Sequence, residues 1–185
     1  MIEEVLDDAK ARMGRAVEVL TRELGTIRTG RANPALVEHL RVEHYGTAMP
    51  LNQLASISIP EARLIVIQPW DRQALGPIER SILKSDLGLN PSNDGQAIRL
   101  AFPPLTEERR RELIKLVRRR IEEGRIAVRN VRRDCADELR KLEGEKKVSE
   151  DDYHRALEQL QKLTDRFIAD VDRLGQAKEA EVMER

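Results

Sequence analysis

A chain of 185 residues with 40% hydrophobic content is long enough to bury a core, as one large domain or two small ones. Charged residues make up 36% and aromatics only 3%, which fits long amphipathic helices with aliphatic cores and argues against a nucleic-acid platform built on stacked rings. Lys+Arg and Asp+Glu both total 33, the single cysteine excludes an intrachain disulfide, and no apolar run is long enough to span a membrane.

The zero net charge hides an uneven distribution. Residues 106–142 carry 13 basic and 8 acidic side chains, whereas 143–185 carry 8 and 12. The opening MIEEVLDDAK is acidic rather than a basic leader before an apolar stretch, so a cytoplasmic protein is expected.

From Ile2 to Ile27, apolar residues recur in steps of three and four, the signature of one face of a long helix. The pattern stops at TGRANP, where Gly30 frees the backbone and Pro34 biases Asn33 away from helical angles. Beyond it LVEHLRVEHYG, ASISIP, RLIVIQPW and AIRLAF read as short strands separated by Gly, Pro and Asn. DRQALGPIERSILKSDLG between them reads as a short helix with Ile78, Ile82 and Leu83 on one side, so residues 31–105 form a small α+β domain.

Pro103 and Pro104 end the last strand, and Thr106 followed by Glu107 and Glu108 supplies an N-cap with acids in the first turn, where the helix dipole favours them. A second long helix follows, with an apolar seam from Leu113 to Leu142 that runs to the polar turn KLEGEKK. Ser149 with Asp152 three residues on resembles a capping box and opens a third helix, striped by Leu157, Leu160, Leu163, Phe167, Val171 and Leu174.

A helix with one apolar stripe must bury it, so the three are expected to form an elongated antiparallel bundle of residues 1–30 and 106–185, with helices roughly 40–55 Å long. The α+β segment is then an insertion, joined to the bundle through linkers near 29–32 and 102–106. Gly30, Pro103 and Pro104 are the expected hinge residues.

VRRRIEEGRIAVRNVRRD (117–134) gathers seven arginines in the second helix. With Arg118 at zero and about 100° per residue, Arg111, Lys115, Arg125, Arg129, Arg132, Arg133 and Arg140 fall within an arc of about 100°, while most apolar positions lie near 240°. Like charges at i,i+4 repel, so mere solubility is better met by mixed signs, and forked guanidinium groups on one face suit phosphate. The stripe from Arg111 to Arg140 covers roughly 45 Å, too long for a nucleotide cofactor and suited to the backbone of a folded RNA or a duplex. Arg119 and Arg120 project off the arc as flanking charge.

Other features carry less. LGLNPSNDG (87–95) lacks the GK[ST] ending of a phosphate loop and reads as a turn-rich loop. His39, His44 and His154 are scattered, no Cys/His group has metal-ligand spacing, and no catalytic constellation is present. Trp70 reads as a surface anchor or core residue, and Cys135 as a small apolar residue on a buried helix face. A helical scaffold for an acidic protein partner and a nucleotide-using enzyme remain as rival classes.

TIRTGRANPAL (26–36), PLNQLASISI (50–59), SDLGLNPSNDG (85–95), PPLTEERRREL (103–113) and AVRNVRRD (127–134) together resemble the bacterial ribosome recycling factor family, in order and across the whole chain. The resemblance implies a three-helix bundle with a β/α/β domain inserted through a hinge, an L-shaped arrangement with a tRNA-like outline. It implies a monomeric, non-enzymatic factor without cofactor or metal that binds the post-termination ribosome and, with elongation factor G and GTP, splits it into subunits. The family's arginines that contact large-subunit rRNA match Arg31, Arg110, Arg129, Arg132 and Arg133. Arg118 and Arg125 join them on the helical projection, whereas Arg110 projects at about 280°, outside the arc. Two departures stand out: His44 where the family more often has Tyr, and a VRRRIEEGR segment richer in arginine than usual.

Overall fold

The computed structural model describes residues 1–184, which divide into two compact units, Met1–Thr29 with Thr106–Glu184, and Gly30–Leu105.

The first unit consists of three helices, α1 (Ile2–Gly25), α3 (Glu107–Gly144) and α4 (Glu150–Met183), each packed on the other two. Their directions follow from which residues meet. Arg12 reaches Asp134 and Leu20 lies beside Gly124, so α1 and α3 are antiparallel. Arg118 meets Glu179 and Arg125 meets Asp172, so α3 and α4 are antiparallel as well. The seam is aliphatic: Met13, Leu113, Val117, Val128, Cys135, Leu139, Leu160 and Val171 are buried.

The caps act where the sequence places them. Thr106 Oγ accepts the Arg109 N–H (3.1 Å) and Ser149 Oγ accepts the Asp152 N–H (3.1 Å), each satisfying one of the free N–H groups at a helix start. At the far end of α3 the left-handed residue is Lys146 (φ 58°) rather than Gly144, which remains helical; the Lys147 N–H returns to Leu142 O (2.9 Å).

Two glycines let the helices approach at one level. A Cβ on Gly124 would lie 2.9 Å from Leu20 Cδ2 and 3.5 Å from Val171 Cγ1. A Cβ on Gly175 would lie 2.8 Å from Ile121 Cγ1. The backbones of α3 and α4 therefore fit against neighbouring side chains only because these positions have none.

The second unit begins with a hairpin, β1 (Arg41–His44) and β2 (Thr47–Pro50), turned through Tyr45 and Gly46 at φ 51° and 76°. Both central residues are left-handed, as a two-residue primed turn requires, and tyrosine is an unusual occupant of the first place. Its hydroxyl bonds Asp71 Oδ2 (3.1 Å) and the side chain of Gln73, which holds the ring outward. A four-stranded antiparallel sheet in the order β3 (Ala55–Glu61), β4 (Leu64–Pro69), β6 (Ile98–Ala101), β5 (Ser92–Asn93) and one helix, α2 (Leu75–Lys84), complete the unit. Val37, Val42, Leu51, Ile65, Ile67, Ile78, Ile82, Ile98 and Leu100 form its core.

Three expectations differ from the structure. The first helix stops at Gly25, where Thr26 Oγ and N–H both bond Glu23 O and close the last turn. LVEHLRVEHYG is strand only over Arg41–His44; Pro34–Leu36 forms a 3-10 turn because Asn33 Oδ accepts the Ala35 N–H (3.0 Å) and Pro34 has none to give. Leu83 is 57% exposed, since five residues past Ile78 a helix has turned it by about 140° from the buried stripe.

Gly30 takes φ 77°, and a Cβ there would lie 3.3 Å from Pro103 O and 3.4 Å from Leu105 Cγ. The two linking segments thus run side by side, at a spacing that a side chain would tighten and with a left-handed backbone that favours glycine.

Candidate nucleic-acid interface

Along α3 the buried positions Arg110, Leu113, Val117, Ile121, Gly124, Val128, Val131, Cys135 and Leu139 form one stripe, and the basic arc lies outside it. The predicted arginines of that arc fall into two groups according to what neutralises them.

Arg118 and Arg125 are consumed by α4. Arg118 Nε lies 2.9 Å from Glu179 Oε1. Arg125 binds Asp172 Oδ1 with both Nε (2.8 Å) and Nη2 (2.7 Å), and Glu122 Oε2 with Nη1 (3.0 Å). The hydrogen bonds that Arg125 donates, first to Asp172 and then to Glu122, raise its pKa further. These side chains bridge two helices over a cleft of about 490 Å³ whose lining includes Ile121, Gly175 and Gln176. The sequence held a signal for this pairing, because Arg118 and Arg125 are seven residues apart and so are Glu179 and Asp172, a match for antiparallel helices.

Arg129, Arg132 and Arg133 differ. All three are exposed. Among the described residues, Arg132 Nη1 meets only the neutral amide of Gln161 (3.4 Å), and Arg133 Nη2 only Asn130 Oδ1 (3.2 Å). Arg129 has one distant carboxylate, Glu122 Oε1 at 3.9 Å, already shared with Arg125. The adjacent Asp134 is drawn to the opposite flank by Arg12 on α1 (2.9 Å). One turn of α3 therefore presents three guanidinium groups with little local neutralisation, on a rigid helix and within about 6 Å along its axis. Planar forks so placed can take up successive phosphates.

Arg110 is not part of this surface. It is 8% exposed, lies in the apolar stripe as its 280° projection implies, and reaches Glu107 Oε2 at 3.6 Å while its Nε has no partner. Arg31 is exposed and belongs to the other compact unit, next to Gly30. Neither is brought next to the exposed triad by α3 itself.

The remaining candidates stay apart. His39 and His154 are exposed, and His44 Nε2 lies 3.6 Å from Asp71 within the Tyr45 hairpin cluster. Among the described residues no group of three or more His, Cys, Asp or Glu could hold a metal ion, and no helix is long and apolar enough to cross a membrane. Trp70 is 68% exposed.

Comparison with known proteins agrees with this architecture. Residues 20–183 match the family model described as ribosome recycling factor. A ribosome-recycling factor of Chloroflexus aurantiacus is 60% identical over 183 residues, covering 99% of either chain, and one of Carboxydothermus hydrogenoformans is 57% identical over the same share. A solution structure of the ribosome recycling factor superposes with a TM-score of 0.79 at 48% identity, covering 98% of this chain and 97% of the other. A Thermus thermophilus ribosome recycling factor, described together with Escherichia coli elongation factor G on the Escherichia coli post-termination complex, matches over the whole of both chains with a TM-score of 0.66 and 49% identity. Near-complete coverage in both directions, together with the three-helix unit and its inserted α+β unit, establishes that the chain belongs to the ribosome recycling factor family.

Proposed function

We propose that this chain engages the post-termination ribosome by seating Arg129, Arg132 and Arg133 on phosphates of large-subunit RNA. With elongation factor G and GTP it then separates the subunits. The observation that carries the reading is the weakly neutralised triad on one turn of α3, set beside Arg118 and Arg125 of the same arc, which are held by carboxylates of α4. A family relative described with elongation factor G on a post-termination complex supports the choice of partner.

In this reading the chain is a cytoplasmic monomer and does no chemistry of its own. GTP hydrolysis belongs to the elongation factor, and the chain transmits force between it and the RNA. Arg31 contacts RNA from the inserted unit. Arg118 and Arg125 keep α3 and α4 locked so that load on the triad is borne by the whole bundle, and Arg110 supports the start of α3 from within. The paired links at Gly30, Pro103 and Pro104 provide the hinge, their close packing limiting bending to a few backbone torsions.

The test is light-scattering measurement of subunit splitting, using purified post-termination ribosomes with elongation factor G and GTP, with and without the chain. Splitting that requires both proteins is expected, and Arg132→Gly lowers it through weaker ribosome binding while the circular dichroism spectrum is unchanged. Splitting indifferent to the chain, or a variant that binds as tightly as the parent, overturns the proposal. Turnover of nucleotide by the chain alone returns the enzyme reading, and ribosome-independent capture of an acidic protein at high salt returns the scaffold.

A further inference from the structure

The inserted unit holds a second concentration of unpaired positive charge. An open cleft of about 530 Å³ lies between the β1–β2 hairpin and the C-terminal half of α2, with Arg41 and Glu43 on one wall and Arg80, Ser81 and Lys84 on the other. Among the described residues, Arg41, Arg80 and Lys84 make no ion pair or side-chain hydrogen bond, and neither does Glu43. Several arginines on α3 and α4 find carboxylates three residues away, as in Arg109–Glu112, Arg120–Glu123 and Arg173–Asp170, although among the described residues Arg111 and Arg119 do not; what marks the cleft is that three unpaired cations line one cavity. Three cations facing one cleft repel one another, at a cost of a few tenths of a kcal/mol per pair, and the isolated unit offers nothing in return.

We infer that this cleft clamps a phosphodiester of an RNA strand, making a second RNA contact on the inserted unit. The inference rests on the reading of the chain as a factor that acts on the ribosome, and adds a site to it. The side chains sum to three positive charges and one negative. The C-terminus of α2 opposes an anion with an equivalent of only about half a charge, and part of that is met by Ser85, whose N–H and Oγ both bond Ile82 O (3.2 and 2.6 Å). The balance favours an anion.

Two features select RNA over an acidic peptide. Leu40, Ala48 and Pro77 give the cleft an apolar wall against which a ribose can lie. Glu43 is a pure acceptor beside the cations, able to receive a ribose 2′-hydroxyl or base amino hydrogen, a donor that the side chains of an acidic peptide do not supply. Arg41 and Arg80 supply forks for the phosphate, Lys84 a point charge, and Ser81 a hydroxyl donor.

The experiment measures affinity of the full chain for purified 70S ribosomes as a function of salt, comparing the parent with Arg80→Ala/Lys84→Ala, Glu43→Lys and Arg132→Gly. Loss of the phosphate contact lowers the slope of log K against log salt by about one for the double variant, and its affinity falls roughly tenfold at low salt. Glu43→Lys loses the acceptor but adds a cation to the cleft, so its slope becomes steeper instead. Melting curves check that each variant is folded, and if the double variant melts early, Glu43→Lys together with Arg41→Gln carries the same comparison. An unchanged slope in the cleft variants beside a reduced one in Arg132→Gly overturns the cleft alone. Unchanged slopes in both overturn the ribosome reading with it. Binding of polyglutamate by the parent, lost in the double variant and tighter than its binding of an RNA oligonucleotide, assigns the cleft to an acidic protein and likewise overturns the inference.

Discussion

Replacing helical glycines by alanine separates close helix packing from helix propensity, because the two act with opposite signs. In an open helical position alanine is favoured over glycine by about 1 kcal/mol. Gly14 on α1 has nothing within 4 Å of where a Cβ would sit, so Gly14→Ala gains most of that term. At Gly124 the added methyl meets Leu20 Cδ2 at 2.9 Å, the free end of a flexible side chain, and the gain is roughly offset by repacking. At Gly175 it meets Ile121 Cγ1 at 2.8 Å and Cδ1 at 3.0 Å. Cγ1 is fixed by a branched Cβ whose rotamer a helix locks, so α4 itself must shift, and overpacking of this kind costs about 1–3 kcal/mol. The expected net effects are a gain of about 0.5–1 kcal/mol for Gly14→Ala, near zero for Gly124→Ala and a loss of about 1–2 kcal/mol for Gly175→Ala. For a chain of this size 1 kcal/mol moves Tm by roughly 2–4 °C, which thermal melts followed at 222 nm resolve easily. Should Gly175→Ala melt as high as Gly14→Ala, α3 and α4 do not touch as described and the argument fails.

Three further outcomes are expected. Arg125→Ala removes a bridge to Asp172 and Glu122 that is one-third exposed and therefore partly screened; a loss of about 0.5–1 kcal/mol in chemical denaturation is expected, with ribosome affinity lowered less than by Arg132→Gly. Hydrogen bonds from the Ala97 and Gln96 N–H groups hold the Asp94 carboxyl below its ordinary pKa, so the charged form is favoured by folding. Its contribution is full above the ordinary aspartate range and fades as pH falls through the depressed value; NMR titration of Asp94 at or above the ordinary value would contradict this. Burial pushes the Cys135 thiol up, so a thiol reagent at pH 8 labels the native chain far more slowly than the urea-unfolded chain, and equal rates would place that residue on the surface.

What the sequence made legible was what local rules govern. The seam through Val117, Val128 and Leu139 and the caps at Thr106 and Ser149 rest on helical periodicity and on single hydrogen bonds, both visible in a linear string. Features set by distant partners were not legible in the same way. The projection placed Arg118, Arg125 and Arg132 on one arc because it sees one helix; only α4 decides that the first two are spent on Glu179 and Asp172 while the third is not. Arg110 shows the converse, since its angle pointed to burial although its charge pointed to the surface. Leu83 is apolar yet exposed, because its angle on α2 and not its character decides whether it meets the core. The cleft of Arg41, Arg80 and Lys84 left no trace as a motif, its members being brought together by the packing of a strand against a helix.

The close passage of the two links at Gly30 also bears on how the chain folds. The bundle is discontinuous, and α1 is separated from α3 by residues 26–106, a loop whose closure from a disordered state costs about 4 kcal/mol. Gly30–Leu105 is continuous and carries its own core, so it can form first, leaving its two ends touching at Gly30 and Pro103. A loop of that length then behaves as one of about ten residues, and about 2 kcal/mol of closure entropy has already been met before α1 encounters α3. The inserted unit would thus serve as an internal chaperone for the bundle, and damage to its core would slow assembly of helices it never touches in sequence.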